Sequence, residues 1–180
     1  MIRKILQVKE KSLREVSKPV HTVDKKILEL IEDMEDTLAA QKDPEGVGLA
    51  APQVGKNIRM FLMSFEGNDK IVINPEITKL EEEPVKKANT KKRQKKEKLL
   101  EGCLSLPHYY GPLKRAKKLT LKYMDETGKS VTEEFSGFLA QIVQHEIDHL
   151  NGVLFIDRIL EQNAPLYHFH GDEWEEVELV

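Results

Sequence analysis

The sequence predicts an α+β fold in which short antiparallel β-sheets gather around one central helix. Three observations point there. Two pairs of strand-like segments are each joined by turn-forming residues, which is hairpin chemistry. Only two stretches carry apolar residues at helical spacing. The chain of 180 residues is long enough for one good core and short for two, so a single domain over 1–180 is expected.

The first helix is expected between Asp24 and Ala40, where Ile27, Leu30, Ile31, Met34 and Leu38 share one face and Thr22 or Asp24 can cap. The segment Asp43 to Gly55 holds Pro44, Gly46, Gly48, Pro52 and Gly55, too many breakers for regular structure. Its apolar centre, Val47 to Ala51, reads as a loop pressed against the core. Ile58 to Phe65 and Lys70 to Asn74 read as a hairpin around Gly67, Asn68 and Asp69. Leu119 to Met124 and Ser130 to Phe135 form a second hairpin around Thr127 and Gly128. Ser136 can then cap a helix that runs to about Leu150 and stops at Asn151 and Gly152. Phe138, Leu139, Ala140, Ile142 and Val143 make its first half apolar on most sides, so this helix is central and buried. The tail from Asp157 is mixed and closes on an edge strand, Trp174 to Val180.

Hydrophobic residues make up 39% and charged residues 33%, ordinary for a soluble globular chain with a charge-rich surface. No apolar run approaches the roughly 20 residues that span a bilayer, and no apolar stretch follows Arg3 and Lys4 as in an export signal. No membrane partner and a cytoplasmic location are therefore expected. The formal net charge of −3 argues against nucleic-acid binding by the whole surface, and no sequence-specific nucleic acid is expected. The tract at about 86–98 is the exception: Lys87, Lys91, Lys92, Arg93, Lys95 and Lys96 crowd it and large apolar residues are almost absent. It reads as a basic surface insertion that cannot join a core.

The second helix carries His145, Glu146, Ile147, Asp148 and His149, the H-E-x-x-H pattern. Residues four apart on a helix lie on one face with β-carbons about 6 Å apart, so two imidazoles can converge on one cation. A coincidence of two histidines is the plainer reading, but unpaired imidazoles and a carboxylate on a buried helix would each need a partner, and a divalent cation satisfies them together. A catalytic site of this kind has three protein ligands. Cys103, the only cysteine, can form no intrachain disulfide and is buried filler, a reactive thiol or the third ligand. Its turn-like setting before Pro107 favours the ligand.

Three segments together resemble one family, the peptide deformylases: Gly46-Val47-Gly48-Leu49-Ala50-Ala51-Pro52-Gln53, Glu101-Gly102-Cys103-Leu104-Ser105, and Gln144-His145-Glu146-Ile147-Asp148-His149-Leu150. A softer likeness extends from Leu13-Arg14 through Ile73-Asn74-Pro75 to Phe155. The resemblance implies short antiparallel sheets around a central metal-binding helix, and a hydrolase that takes the formyl group off N-formylmethionyl peptides and nascent chains. It implies a metal held by Cys103, His145 and His149 whose bound water attacks the formyl carbon, with Glu146 as general base and then acid. Gln53 and the Leu104 backbone N–H would stabilise the oxyanion. Gly46 and Gly48 would let an extended substrate approach, Val47, Leu104 and Ile142 would line the methionine pocket, and Glu101 with Arg115 would brace the cysteine loop. Fe²⁺ is the usual ion of the family, while a Cys-His-His set also accepts Zn²⁺, Ni²⁺ or Co²⁺.

Two departures stand out. The basic tract interrupts the family pattern and could contact ribosomal RNA, although a solvated loop is the plainer reading. Many family members end in a long basic helix, whereas this chain ends with His168, His170 and the acidic Asp172 to Glu178. His168 and His170 alternate as in a strand and read as exposed surface histidines, with adventitious metal binding as the alternative. Two rival functions remain at this level. One is a zinc peptidase of the H-E-x-x-H type, which leaves the cysteine and glycine-glutamine segments unexplained. The other is a non-enzymatic nascent-chain binding module, which has no need of Glu146.

Overall fold

The structure is a computed structural model that describes residues 1–81 and 100–178; the basic tract at about 86–98 lies outside the described residues. In chain order the elements are α1 (Lys25–Ala39), β1 (Gly48–Ala50), β2 (Met60–Phe65), β3 (Asn68–Glu81), β4 (Glu101–Cys103), β5 (Leu106–Gly111), β6 (Lys118–Met124), β7 (Ser130–Ser136), α2 (Gly137–Leu150), α3 (Phe155–Glu161), β8 (Leu166–His170) and β9 (Glu173–Val177). One antiparallel sheet has the order β1-β2-β3-β6-β7 and a second has the order β4-β5-β8-β9. The α+β expectation holds, with α2 lying between the larger sheet and the strand that carries Cys103. Among the described residues no helix is long and apolar enough to cross a membrane.

The larger sheet is covered on both faces, and β2 shows why its sequence is continuously apolar rather than alternating. Phe61 and Met63 join the cluster that contains Ala140, Val143, Ile147 and Leu150 of α2. Met60 and Leu62 point the other way, into the cluster built on Leu30, Ile31, Met34 and Leu38 of α1. Each of the four strand residues, at 3% exposure or less, contributes roughly 1.5–3 kcal/mol relative to exposure. The third cluster, Cys103, Leu113, Phe155, Ile159 and Leu166, packs α3 under the smaller sheet. Ten of the fourteen residues of α2 are buried, which is what a helix between two layers requires.

Several local expectations need correction. The breaker-rich segment 43–55 is not a plain loop: it contains β1 and a 3₁₀ turn, Ala51–Val54, started by Pro52 and ended by Gly55. The first hairpin turns at Glu66 and Gly67, both with positive φ, so Asn68 and Asp69 already pair in β3. That strand continues past Asn74 because Pro75, lacking a donor, sits in a bulge between Ile73 and Glu76. Asn74 secures the bulge through its amide, exchanging hydrogen bonds with the backbone of Val20 at 2.7 and 2.8 Å. Ser136 occupies the N-cap of α2, but its side chain makes no capping bond. The Gly137 N–H instead donates to Lys117 O at 2.8 Å. The helix α3 had no sequence counterpart, the hairpin β4–β5 only the turn-like setting of Cys103, and the strand β8 only the alternation of His168 and His170, while β9 lies at the sheet edge as expected for the tail.

The N-terminal segment is strapped across the molecule. Leu6 N–H donates to Gln53 O at 2.8 Å and Val8 N–H to Ser105 O at 3.0 Å, which joins the 3₁₀ turn to the cysteine hairpin. The Ser17 N–H donates to Leu150 O at 2.9 Å, satisfying a carbonyl left over at the end of α2. That end is made by Gly152, at φ +72, where a β-carbon would stand 2.4 Å from Arg14 O. Gly152→Ala therefore meets both a left-handed backbone and a backbone clash, and we expect a loss of at least about 2 kcal/mol. For a domain of this size that is a fall in Tm of roughly 4 °C or more; an unchanged melting curve would refute the assignment.

Candidate metal centre

The last two turns of α2 present His145 and His149 on one face, and β4 brings Cys103 against them. The three ligating atoms lie within 4.8 Å of one another, and all three residues are buried. Cys103 Sγ is 3.2 Å from His149 Nε2. His145 Nδ1–H donates to Glu101 Oε1 at 2.7 Å, which orients the ring and leaves its Nε2 free to ligate. Burial alone would raise the Cys103 thiol, but the neighbouring His149 and His145 outweigh it and hold the group well below its ordinary range. His145 is pushed the opposite way: burial works against its cation, and Cys103 and Glu101 together raise it well above the usual imidazole range.

Whether this donor set fits a cation can be judged from the groups left over. Among the described residues, Glu146 Oε2 and His149 Nδ1 are buried without a hydrogen-bond partner. A thiol and two imidazoles held this close, beside an unpaired carboxylate, are costly as a dry core and favourable around a divalent ion. The fit is good.

Glu146 itself is 3% exposed, and burial raises its carboxyl to about 7. It rests against β1: a β-carbon on Gly48 would stand 2.3 Å from Glu146 Oε1 and 3.1 Å from Ile142 Cγ2. Gly48 is thus a point of close approach, where any side chain would displace the carboxylate. Gln53 enters from the 3₁₀ turn that follows β1. Its Oε1 accepts from Ala50 N–H at 2.8 Å, so its Nε2 is aimed at the cysteine hairpin, 3.1 Å from Ser105 Oγ and 3.8 Å from Cys103 Sγ. Leu104 begins the two-residue turn between β4 and β5.

Cys103, His145 and Glu146 form one end of a cavity of about 370 Å³ whose walls also include Val47, Leu104, Ile142, Phe65, Phe138 and Tyr110, while Gln53, Gly48 and His149 are not among its walls. Phe65 and Phe138 meet edge to face at 4.7 Å. Gly46 is not among its walls. It lines the neighbouring groove and packs on α1, where a β-carbon would come 2.7 Å from Leu38 Cδ1.

Glu101 and Arg115 pair in the interior rather than at an exposed surface. Arg115 grips Glu101 with Nε at 3.0 Å and Nη2 at 2.6 Å, and its Nη1 donates to Asp148 Oδ2 at 2.7 Å. Arg158 of α3 grips the same Asp148 through Nε at 3.0 Å and Nη2 at 2.6 Å. A chain of charge therefore runs Arg158–Asp148–Arg115–Glu101–His145 and ends on a ligand. His145 and Arg115 overcome burial to hold Glu101 at about 2, so it is ionised throughout the neutral range. Gln144 positions Arg115 by exchanging hydrogen bonds with the Ala116 backbone at 2.9 and 3.0 Å. Sequence reasoning missed Ser105, Asp148 and Arg158. A fourth titratable residue, beside His145, Glu146 and His149, on a helix expected to be buried was the available signal for Asp148.

Asp148 is held below the usual carboxylate range: burial raises it, but Arg158 and Arg115 outweigh burial. Because the folded value is depressed, its contribution to stability is complete above the unfolded value of about 3.9 and is lost as pH falls through the folded one. Asp148→Asn should cost roughly 3–5 kcal/mol at neutral pH by leaving two guanidinium groups short of a partner. It should also flatten the fall in Tm from about pH 5 to about pH 3. A variant whose Tm falls in parallel with the parent over that interval would remove Asp148 from this account.

Comparison with known proteins agrees with the geometry. The family model described as Polypeptide deformylase matches residues 2–164. The peptide deformylase of Pseudothermotoga lettingae is 42% identical over 159 residues, covering 88% of this chain and 84% of that protein. That of Dictyoglomus thermophilum is 39% identical over 162 residues, covering 90% and 95%. Among solved structures, the peptide deformylase of Thermotoga maritima superposes with a TM-score of 0.75 at 38% identity, over 88% of this chain and 97% of that one. With a matching fold, a matching family model and relatives of this similarity over most of their length, the chain belongs to the peptide deformylase family.

Proposed function

We propose that this protein hydrolyses the N-formyl group from formylmethionyl peptides and nascent chains in the cytoplasm, releasing formate and a free amino terminus. The observation that carries the proposal is one cavity lined by an apolar pocket, by Cys103 and His145 of the Cys103–His145–His149 cluster, and by the buried carboxylate of Glu146.

The substrate backbone enters extended along β1, which stands at the edge of its sheet and has an unpaired side. The methionine side chain fills the pocket against Val47, Leu104 and Ile142, and Gly48 allows the scissile amide to come close to Glu146. Cys103, His145 and His149 would hold a divalent cation, which would supply Lewis acidity to the hydrolysis. Fe²⁺ is the native ion in this reading, with Zn²⁺, Ni²⁺ or Co²⁺ able to occupy the same donors after purification. Glu146 takes a proton from the water as its oxygen bonds to the formyl carbon. The oxyanion that forms accepts hydrogen bonds from the Gln53 amide and the Leu104 backbone N–H. Glu146 then gives the proton to the amide nitrogen as the C–N bond breaks. Burial favours the protonated form of Glu146, so the carboxylate can take the proton from the water and hold it until the amide nitrogen accepts it.

The basic tract belongs to the same proposal as a contact for ribosomal RNA near the emerging chain. Reversing the charge of Lys91, Lys92, Arg93 and Lys95 should weaken ribosome co-sedimentation at low salt, and unchanged binding would remove that contact.

The main test is formate release from a formyl-Met-Ala-Ser peptide by protein purified without oxygen, measured beside cleavage of an internal peptide bond. Release of formate alone is expected; internal cleavage alone would overturn the reading in favour of a peptidase. Glu146→Gln should lower the rate by about 10²–10⁴ with bound metal unchanged, and a parental rate would refute its role. Gly48→Ala should lower kcat by on the order of 10² by displacing the carboxylate. A variant that keeps kcat would show that the contact does not position Glu146.

A further inference from the structure

Outside the cavity, one cluster of ligating side chains has no part in the proposed chemistry. His168 and His170 stand two residues apart on β8, so both project from one face of the smaller sheet. β9 runs beside them in a register that sets Glu175 directly opposite His168 and Glu173 opposite His170. Ligating atoms from His168, His170 and Glu175 lie within 4.8 Å of one another. The imidazole rings meet nearly at right angles with centroids 5.1 Å apart. His170 Nε2 is 3.7 Å from Glu175 Oε2, too long for a hydrogen bond and close enough for both to ligate one ion. His168 is also stacked on Tyr109 of β5, at 4.5 Å with the planes 20° apart, which fixes the orientation of one ring in advance.

We propose that His168, His170 and Glu175 form a second divalent-cation site, separate from the Cys103–His145–His149 centre. Two imidazoles and a carboxylate select a borderline ion such as Zn²⁺ or Ni²⁺, and exclude Mg²⁺ and Ca²⁺, which want oxygen donors. The half-open face leaves remaining positions to water, and Glu173 keeps the local field negative. An ion there staples β9 to β8 at the outer edge of the sheet. The Tyr109 stack carries that constraint to the wall of the active-site cavity, which Tyr109 also lines.

The experiment is a Zn²⁺ binding isotherm on the full chain, read as ions bound per chain, so it does not depend on turnover. The parent should bind two equivalents. His170→Ala and Glu175→Gln should each weaken the second equivalent by at least about tenfold while leaving the first in place. Matching melting curves in chelator would establish that the variants fold. One equivalent in the parent, or a second equivalent of parental affinity in either variant, overturns the proposal.

Discussion

The hydrogen bond from His145 to Glu101 is the contact on which the rest of the centre depends. It ties α2 to β4 and sets which ring nitrogen faces the thiol of Cys103. Glu101 can serve only while ionised, and a lone carboxylate at 4% exposure would be prohibitively costly. Arg115 offsets that cost, Asp148 offsets Arg115, and Arg158 offsets Asp148 near the surface. Two formal negative charges thus alternate with two positive ones, and the burial penalty is handed along until it meets water. Removing any member would strand its neighbour, which is why the chain reads as one unit rather than as separate ion pairs.

The three apolar clusters divide the labour of holding this arrangement. The larger sheet and its two helices fix α2 and so the two histidines. The smaller sheet and α3 fix Cys103 and Arg158. The 3₁₀ turn after β1 delivers Gln53, with its amide turned by the Ala50 N–H. Glu146 is located by shape as much as by charge, because Gly48 is the surface it rests on. The groups of the site are therefore carried by three elements, α2, the cysteine hairpin and the 3₁₀ turn, each packed in an apolar cluster.

What could be read in advance followed the physics of short range. Spacing revealed the α2 histidines, and turn-forming residues between strand-like segments revealed the hairpins β2–β3 and β6–β7. The ligand role of Cys103 came mainly from the resemblance, since a lone cysteine has no period or spacing to betray it. The segment around Cys103 read only as turn-like, because β4 is three residues long and too short to show an alternating pattern. Gly46 and Gly48 were read as breakers, yet they mark places where α1 and Glu146 come too close for a β-carbon. Asp148 and Arg158 stayed hidden because they meet across the break between α2 and α3, ten residues apart, and Arg115 joins them from 33 residues before Asp148, separations that leave no local pattern.

The N-terminal strap bears on the order in which the molecule assembles. Residues 6 and 8 are synthesised first, but their acceptors are the carbonyls of residues 53 and 105, and residue 17 waits for residue 150. The contacts within the centre close over separations of 44 and 46 residues. Loops of this length form late, because their entropy must be overcome before their contacts repay it. A growing chain therefore exposes its thiol and one or both imidazoles as unorganised donors until α2 docks. The cluster of Cys103, His145 and His149 is complete only once contacts across 46 residues have closed.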